Sequence, residues 1–228
     1  MKKIIIVVLT SIFCINVSYS QKVRANYTAG GKTYAVVIDN SAIQHNSRKT
    51  TAEMNDAIDA ATGITVRHSD YIGNGSNANI NQKVSKKFAV SPTDVGLNGS
   101  AGSQLMNFAQ ASGWENTTGN VDNNRNASAT VASPATGCKA YAGPSGGEVG
   151  KWRLPTQREM QIMYILKSSY AGVAGFTQFT NGSYVTSTEG GFASYVAKCW
   201  VIEWSFGSIF NGEKTGTYYV RCVRDIVD

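Results

Sequence analysis

Apolar and polar positions change period several times along this chain, and each change marks an element. Lys32 to Asp39 (Lys-Thr-Tyr-Ala-Val-Val-Ile-Asp) is rich in β-branched and aromatic residues and is flanked by Gly30-Gly31 and Asn40-Ser41, which predicts a strand. Beyond Thr50 or Thr51 the period changes: Met54, Ala57, Ile58 and Ala61 share one helical face, with Gly63 as the stop. Ile64 to Val66 can open another strand, and the Asn, Gly and Ser of Gly73 to Gln82 predict a loop. Lys87 to Ser91 is read as a short strand. Ser103 to Ala111 is read as a helix presenting Leu105, Met106, Phe108 and Ala109, ended by Gly113. Glu115 to Gly137 holds little to bury; a run this long without structure tends to be functional, so it is expected to be a mobile surface element.

The densest signal is Gly150-Lys151-Trp152-Arg153-Leu154-Pro155-Thr156-Gln157-Arg158-Glu159-Met160. Thr156 and Glu159 have capping-box spacing: the hydroxyl accepts from the Glu159 amide while the carboxylate accepts from the Thr156 amide, so a helix starts here. Pro155 biases Leu154 toward extended backbone, so Trp152 to Leu154 should be a strand-like lead-in that delivers the indole to the core. The helix is expected to run to between Ser169 and Gly172. Phe176, Phe179 and Tyr184 lie in a glycine-punctuated stretch of short strands and turns. In Cys199 to Phe206, alternation puts Trp200, Ile202, Trp204 and Phe206 on a core face, opposite Cys199, Val201, Glu203 and Ser205. Gly207 to Gly216 is read as the turn, and Thr217 to Val223 as the returning antiparallel partner. The whole is α+β: a few helices packed on a twisted, mostly antiparallel sheet.

Composition adds a compartment. Met1-Lys2-Lys3, the apolar run Ile4 to Val17 and small residues at Ser18 and Ser20 form a signal peptide, with cleavage expected before Gln21. A lipid anchor on Cys14 is disfavoured by the bulky Phe13 before it. No later run is apolar and long enough for a transmembrane segment. The organisation expected is leader 1–20, an extension or small module 21–80, and a main domain 81–228. Of 21 Lys and Arg, removal of Lys2 and Lys3 leaves 19 against 15 Asp and Glu, a mild excess. Lys83, Lys86 and Lys87 are read as a solvated face and not as a nucleic-acid site. Cys138, Cys199 and Cys222 remain after processing; an exported chain with three cysteines most simply has one disulfide, and the count alone allows three pairings.

Four runs in order, Trp152-Arg153-Leu154-Pro155-Thr156, Thr186 to Glu189, Trp200 to Trp204 and Tyr219 to Arg224, make the chain resemble the C-terminal domain of bacterial collagen-like adhesins, a branch of the C-type-lectin-like fold. The resemblance covers about Cys138 to Asp228 and thins toward Lys87. It implies a disulfide between Cys138 and Cys222, with Cys199 a small buried residue. It also implies an exported protein at the cell surface or secreted, binding glycans or extracellular proteins, or other fimbrial subunits. Trp152, Arg153, Thr156, Glu159, Glu189, Arg221 and Arg224 accompany the fold motifs and are expected to form ion pairs and caps that tie the helix start to the last strands.

Candidate chemistry is sparse. His45 and His68 stand apart from other ligand types, so no metal is expected, and no nucleophile has a neighbouring base. The paired carboxylate motifs of calcium-dependent lectins are missing; Glu203-Trp204-Ser205 stands where such proteins carry Trp-Asn-Asp. The fold also resembles that of formylglycine-generating enzymes, which would make Cys199 and Cys222 a redox pair; a structural disulfide is favoured over it. The expectation is a non-catalytic binding protein without cofactor. A structural pilus or envelope subunit is the alternative, and the redox enzyme a second one. Trp114, Tyr195, Tyr218 and Tyr219 are the aromatic residues expected to be exposed for ligand contact.

Overall fold

The computed structural model describes residues 22–40, 48–49, 84–113, 134–189 and 197–226, with 48–49 and Glu189 described in their backbone only. Outside the described residues lie the leader, the helix expected from Thr50 or Thr51, the strand at 64–66, and the loop at 73–82. So do nearly all of the run from Glu115 to Gly137, both histidines, Lys83, Trp114 and Tyr195.

Strands β1 (Lys22–Ala29) and β2 (Lys32–Asp39) form a hairpin closed by Gly30 and Gly31, at φ 55° and 73°. A two-residue hairpin loop of this kind requires positive φ at both positions, which glycine adopts without a Cβ clash. Antiparallel pairing continues from β2 to β5 (Lys87–Val90) and from β5 to β9 (Val223–Asp225), in the order β1-β2-β5-β9. The hairpin from the stretch expected to be an extension therefore shares a sheet with the last strand. A second antiparallel sheet has the order β6-β7-β8, from β6 (Ser183–Glu189), β7 (Lys198–Glu203) and β8 (Ser208–Glu213). β3 (Arg48–Lys49) and β4 (Val84–Ser85) make a short parallel pair. The helices are α1 (Phe108–Ser112), α2 (Gly137–Ala140) and α3 (Gln157–Ile165), the last followed by a 3-10 turn at Lys167–Ser169. The fold is α+β.

Two apolar clusters make up the described core, and strands β2, β5, β6 and β7 contribute to both. Val37 of β2, Ala89 of β5 and Cys199 and Val201 of β7 face the cluster that holds Trp152, Leu154 and the disulfide. Val36 and Ile38, Phe88 and Val90, and Ile202 and Trp204 face the cluster that holds Met160 and Met163 of α3. A strand covered on both faces reads as a continuous apolar run, which explains Ala-Val-Val-Ile in β2.

Several expected boundaries move. The helix expected at Ser103 begins at Phe108, because Met106 is held extended by reciprocal backbone hydrogen bonds of 2.9 Å with Tyr218, and Asn107 caps the helix in a capping box with Gln110. α3 ends at Ile165 and not between Ser169 and Gly172. The partner of β7 is β8, inside the stretch read as a turn; the reversal falls at 204–207, where Gly207 takes φ 72°. Phe206 is in that reversal and is 82% exposed, not on the core face. Trp200 is half-buried. The Thr217 to Val223 segment makes isolated bridges, Met106↔Tyr218, Tyr184↔Tyr219 and Arg153↔Val223, before joining β9. Lys87 is buried and not solvated, with its ammonium 3.2 Å from the Tyr27 hydroxyl.

Cys138, in α2, is bonded to Cys222, just before β9, across 84 residues; this is the pairing the resemblance implies. Cys199 is buried and lies outside the disulfide. Closing so long a loop removes chain entropy worth roughly 4 to 5 kcal/mol from the unfolded state. Replacing both Cys138 and Cys222 with Ala should therefore lower the free energy of unfolding in urea by about that amount; a loss below about 1 kcal/mol would show that the closure contributes little.

Candidate functional site

The helix start is built around one guanidinium. Trp152 and Leu154 point into one core cluster, so alternation turns Arg153 to the other side of the chain, where it is buried. Its backbone pairs with Val223 through hydrogen bonds of 2.9 and 2.8 Å, which places its side chain beside Asp225 of β9 and Glu159 of α3. Arg153 Nη1 donates to Glu159 Oε2 at 2.7 Å and to the Leu154 carbonyl at 3.1 Å. Nη2 donates to Glu159 Oε1 at 3.0 Å and to Asp225 Oδ1 at 2.7 Å, and Nε to Asp225 Oδ2 at 3.3 Å. Glu159 also accepts from the Thr156 and Ser85 amides at 2.9 and 3.0 Å, while Thr156 Oγ1 accepts from the Glu159 amide at 3.3 Å. Burial pushes the Glu159 carboxyl up, but Arg153 and these amides outweigh it and hold the group below the ordinary carboxylate range.

Two more arginines repeat the device, Arg221 fully buried and Arg224 half-buried. Arg221 pairs with Asp94 at 3.0 Å and donates to the Ser91 and Thr177 carbonyls, with its plane 4.1 Å from the Phe179 ring centroid. Asp94 also accepts from Tyr184, Ser103 and Thr180. Arg224 meets Glu148, which is fully buried and accepts from Tyr34 Oη at 2.8 Å and from Trp152 Nε1 at 3.1 Å. Glu189 ends β6; its side chain lies outside the description.

The ligand residues expected from sequence separate. Tyr218 is 9% exposed, its hydroxyl donating to the Glu213 carbonyl at 2.8 Å, and burial pushes its pKa up to about 12; its expected exposure is thus corrected. The cause is the bare backbone at Gly212 and Gly216, where a Cβ would strike the Tyr218 ring. Tyr219 is half-buried. Its ring lies on Gly182, where any Cβ would collide with it, and 5.6 Å from the Tyr184 ring. Its amide donates to the Ser183 carbonyl, and Ser183 Oγ donates to Glu203 Oε2 at 2.7 Å. That hydrogen bond, with the Ser205 contacts, holds the Glu203 carboxyl below its usual value against a small opposing effect of burial. Phe206 follows in the β7–β8 reversal, next to Gly207, whose missing Cβ leaves room for Tyr164. Lys167 lies 4.0 Å above the Tyr164 ring, and Tyr164 meets Trp204 edge-on at 5.3 Å. One end of the three-stranded sheet therefore gathers a half-open tyrosine, an ionised carboxylate and an exposed phenylalanine. Sequence reasoning missed Phe206 because it carried period-two alternation three residues past Glu203, where the strand ends.

The sequence profile of the Lcl C-terminal domain matches residues 103–224, a little over half of the 228-residue chain. The chain belongs to the Lcl C-terminal domain family. This is an adhesin-like family of surface proteins. No curated protein sequence matches the chain. The Lcl match covers α1, α2 and α3, the β6-β7-β8 sheet, the disulfide and Arg153, and leaves β1, β2 and β5 before it. Among the described residues no group of three His, Cys, Asp or Glu side chains is placed to hold a metal, and no helix is long and apolar enough to cross a membrane. Cys222 is bonded to Cys138, so Cys199 and Cys222 do not form a pair of thiols.

Arg153→Met would leave the buried carboxylates of Glu159 and Asp225 without their arginine and should cost about 3–5 kcal/mol in urea unfolding. Glu159→Gln tests the sign of the linkage. A carboxyl held low in the folded state stabilises above its unfolded pKa, about 4.3, and loses that contribution as pH falls through the lower folded value. The gap in Tm between wild type and Glu159→Gln should narrow on acidification below about pH 4.3; a gap independent of pH would contradict the ionised reading.

Proposed function

We propose that this chain is an exported, non-catalytic surface module of C-type-lectin-like architecture that recognises a glycan or an extracellular protein in adhesion. The Lcl match carries this reading, because it ties an adhesin-like domain to a framework in which Arg153, Arg221 and Arg224 are each committed to a carboxylate. Charges paired in this way serve structure and do not supply an activated group for catalysis. Recognition then falls to the end of the β6-β7-β8 sheet. Phe206 and the open part of Tyr219 offer flat apolar faces, and Glu203 offers an acceptor to hydroxyl groups or basic side chains.

A screen of the chain from Gln21 onward against glycans and matrix proteins, followed by Phe206→Ala and Tyr219→Ala, tests the assignment. Each variant should weaken binding roughly tenfold, about 1.4 kcal/mol; Phe206→Ala should leave Tm unchanged, whereas Tyr219→Ala, which removes packing on Gly182 and Tyr184, should lower it. Binding equal to wild type in both variants would remove this site, and turnover of any screened glycan or protein would contradict the non-catalytic reading.

A further inference from the structure

Four Asn-Gly pairs occur in the chain, at Asn74, Asn98, Asn181 and Asn211, and the last three lie among the described residues. An asparagine followed by glycine can modify itself: the glycine's backbone nitrogen attacks the side-chain amide carbon one residue back, and no Cβ crowds the approach. The nitrogen can do so only when its N–H is not held by an acceptor and the asparagine side chain is free to turn toward it. The fold withholds these conditions from two of the three described pairs. Asn98 is exposed, but the Gly99 amide donates to the Gly96 carbonyl at 2.9 Å, and Gly99, at φ 73°, is pressed onto the Ala140 backbone, which a Cβ would approach within 2.4 Å. Asn211 lies within β8 with its side-chain oxygen buried. Gly212 stands opposite Cys199, two residues before Lys214, whose amide donates to the Ala197 carbonyl, so the alternation of an antiparallel ladder turns the Gly212 amide toward β7. Asn181 meets both conditions. It is exposed, and among the described residues neither its side chain nor the Gly182 amide, just before β6, makes a hydrogen bond.

We propose that Asn181 is a self-modification site. The Gly182 nitrogen bonds to Asn181 Cγ and gives up its proton, the side-chain nitrogen leaves as ammonia, and one water opens the resulting succinimide at either carbonyl. The product is aspartate or isoaspartate at position 181; nothing is oxidised or reduced, and water is the sole co-reactant. The position is one where the change is felt. The Tyr219 ring lies on Gly182, and the Gly182 carbonyl accepts from the Trp204 amide at 2.9 Å. A new carboxylate, or the extra backbone methylene of isoaspartate, therefore arrives where β6 begins and β7 ends. The inference does not rest on ligand recognition by Tyr219 and Phe206.

Peptide mapping by mass spectrometry tests it, on the chain from Gln21 onward aged in mildly alkaline buffer, folded and in urea. Urea removes the hydrogen bonds of the fold, so the rate of each pair in urea is its own reference. Folding should slow Asn98 and Asn211 about tenfold or more and leave Asn181 within about threefold of its urea rate. Equal protection at all three positions overturns the proposal, and so does an Asn181 that reacts more slowly in the folded chain than Asn98 or Asn211. The tryptic peptide from Ser168 to Lys198 holds one other side-chain amide, that of Gln178. Asn181→Gln, which must close a larger ring, should abolish the early deamidation of that peptide with Tm unchanged; deamidation at the wild-type rate would place the change at Gln178 and sink the assignment.

Discussion

The structure depends on a buried guanidinium that bonds two carboxylates from distant parts of the chain. Every N–H of Arg153 has an acceptor, and Glu159, which caps its own helix, also reaches the Ser85 amide of β4. The helix start, the last strand and the strand entry at residue 85 are thereby fixed to one planar group. Lysine could not do this: a point charge with three donors cannot serve two carboxylates bidentately along with a carbonyl. The arrangement is one positive charge against two negative ones. The amides of Thr156 and Ser85 and the positive end of α3 supply the remaining compensation.

Arg221 and Arg224 extend the same logic along the terminal segment. Arg221 is anchored to Asp94 and the carbonyls of two loops, and Arg224 to Glu148 below the Trp152 indole. Between them Cys222 is bonded to Cys138. The last strand is short, three residues, and its pairing with β5 alone would hold it weakly. Side-chain fastening at four nearby positions, and the bridge from Val223 to Arg153, make up for the missing ladder. Such pairs do not have to add net stability to be retained. A charge that is satisfied in one register only excludes the shifted registers, in which it would be buried and unpaired.

Much of this was legible because local rules act over a few residues. The capping box needs Thr156 and Glu159 three apart, and β2 needs the Gly30-Gly31 turn and an apolar run; both appear where expected. What stayed hidden were relations across the chain. Arg153, Arg221 and Arg224 stand out by their place in the motifs, but Asp225, Asp94 and Glu148 lie in no recognisable spacing with them. The β7 partner was misplaced for a related reason. Gly207 allows a reversal directly after Trp204, whereas the Gly and Thr content of 212–217 suggested a later one, and the side chains of Ile209 and Phe210 do not distinguish the two. Tyr218 was expected outside because alternation turned Trp200 and Trp204 to the core and left the tyrosines as the aromatic residues for the surface. Only the pocket left by Gly212 and Gly216 decides that it turns in.

The position of the β7–β8 hairpin follows from where the fastening stops. β7 is buried on both faces, by Cys199 and Val201 on one and Ile202 and Trp204 on the other, so it cannot shift without opening both clusters. β8 is hydrogen-bonded as a strand only to β7; its far end is held by Tyr218 at Gly212 and Glu213, but its near end contributes only partly covered side chains, Ile209 at the margin of one cluster and Phe210 outside. A substitution at 206–210 therefore leaves the disulfide, the three arginine sites and both clusters in place. Rigid support beneath and weak packing above is the condition under which a surface segment can change its contacts without cost to the fold. The strands that supply part of that support, β1, β2 and β5, precede the segment that matches the Lcl domain. In this chain the family's unit completes its sheet with residues from outside it, so the unit's stability depends on β5 reaching β9, and the hairpin, paired to neither, is spared that dependence.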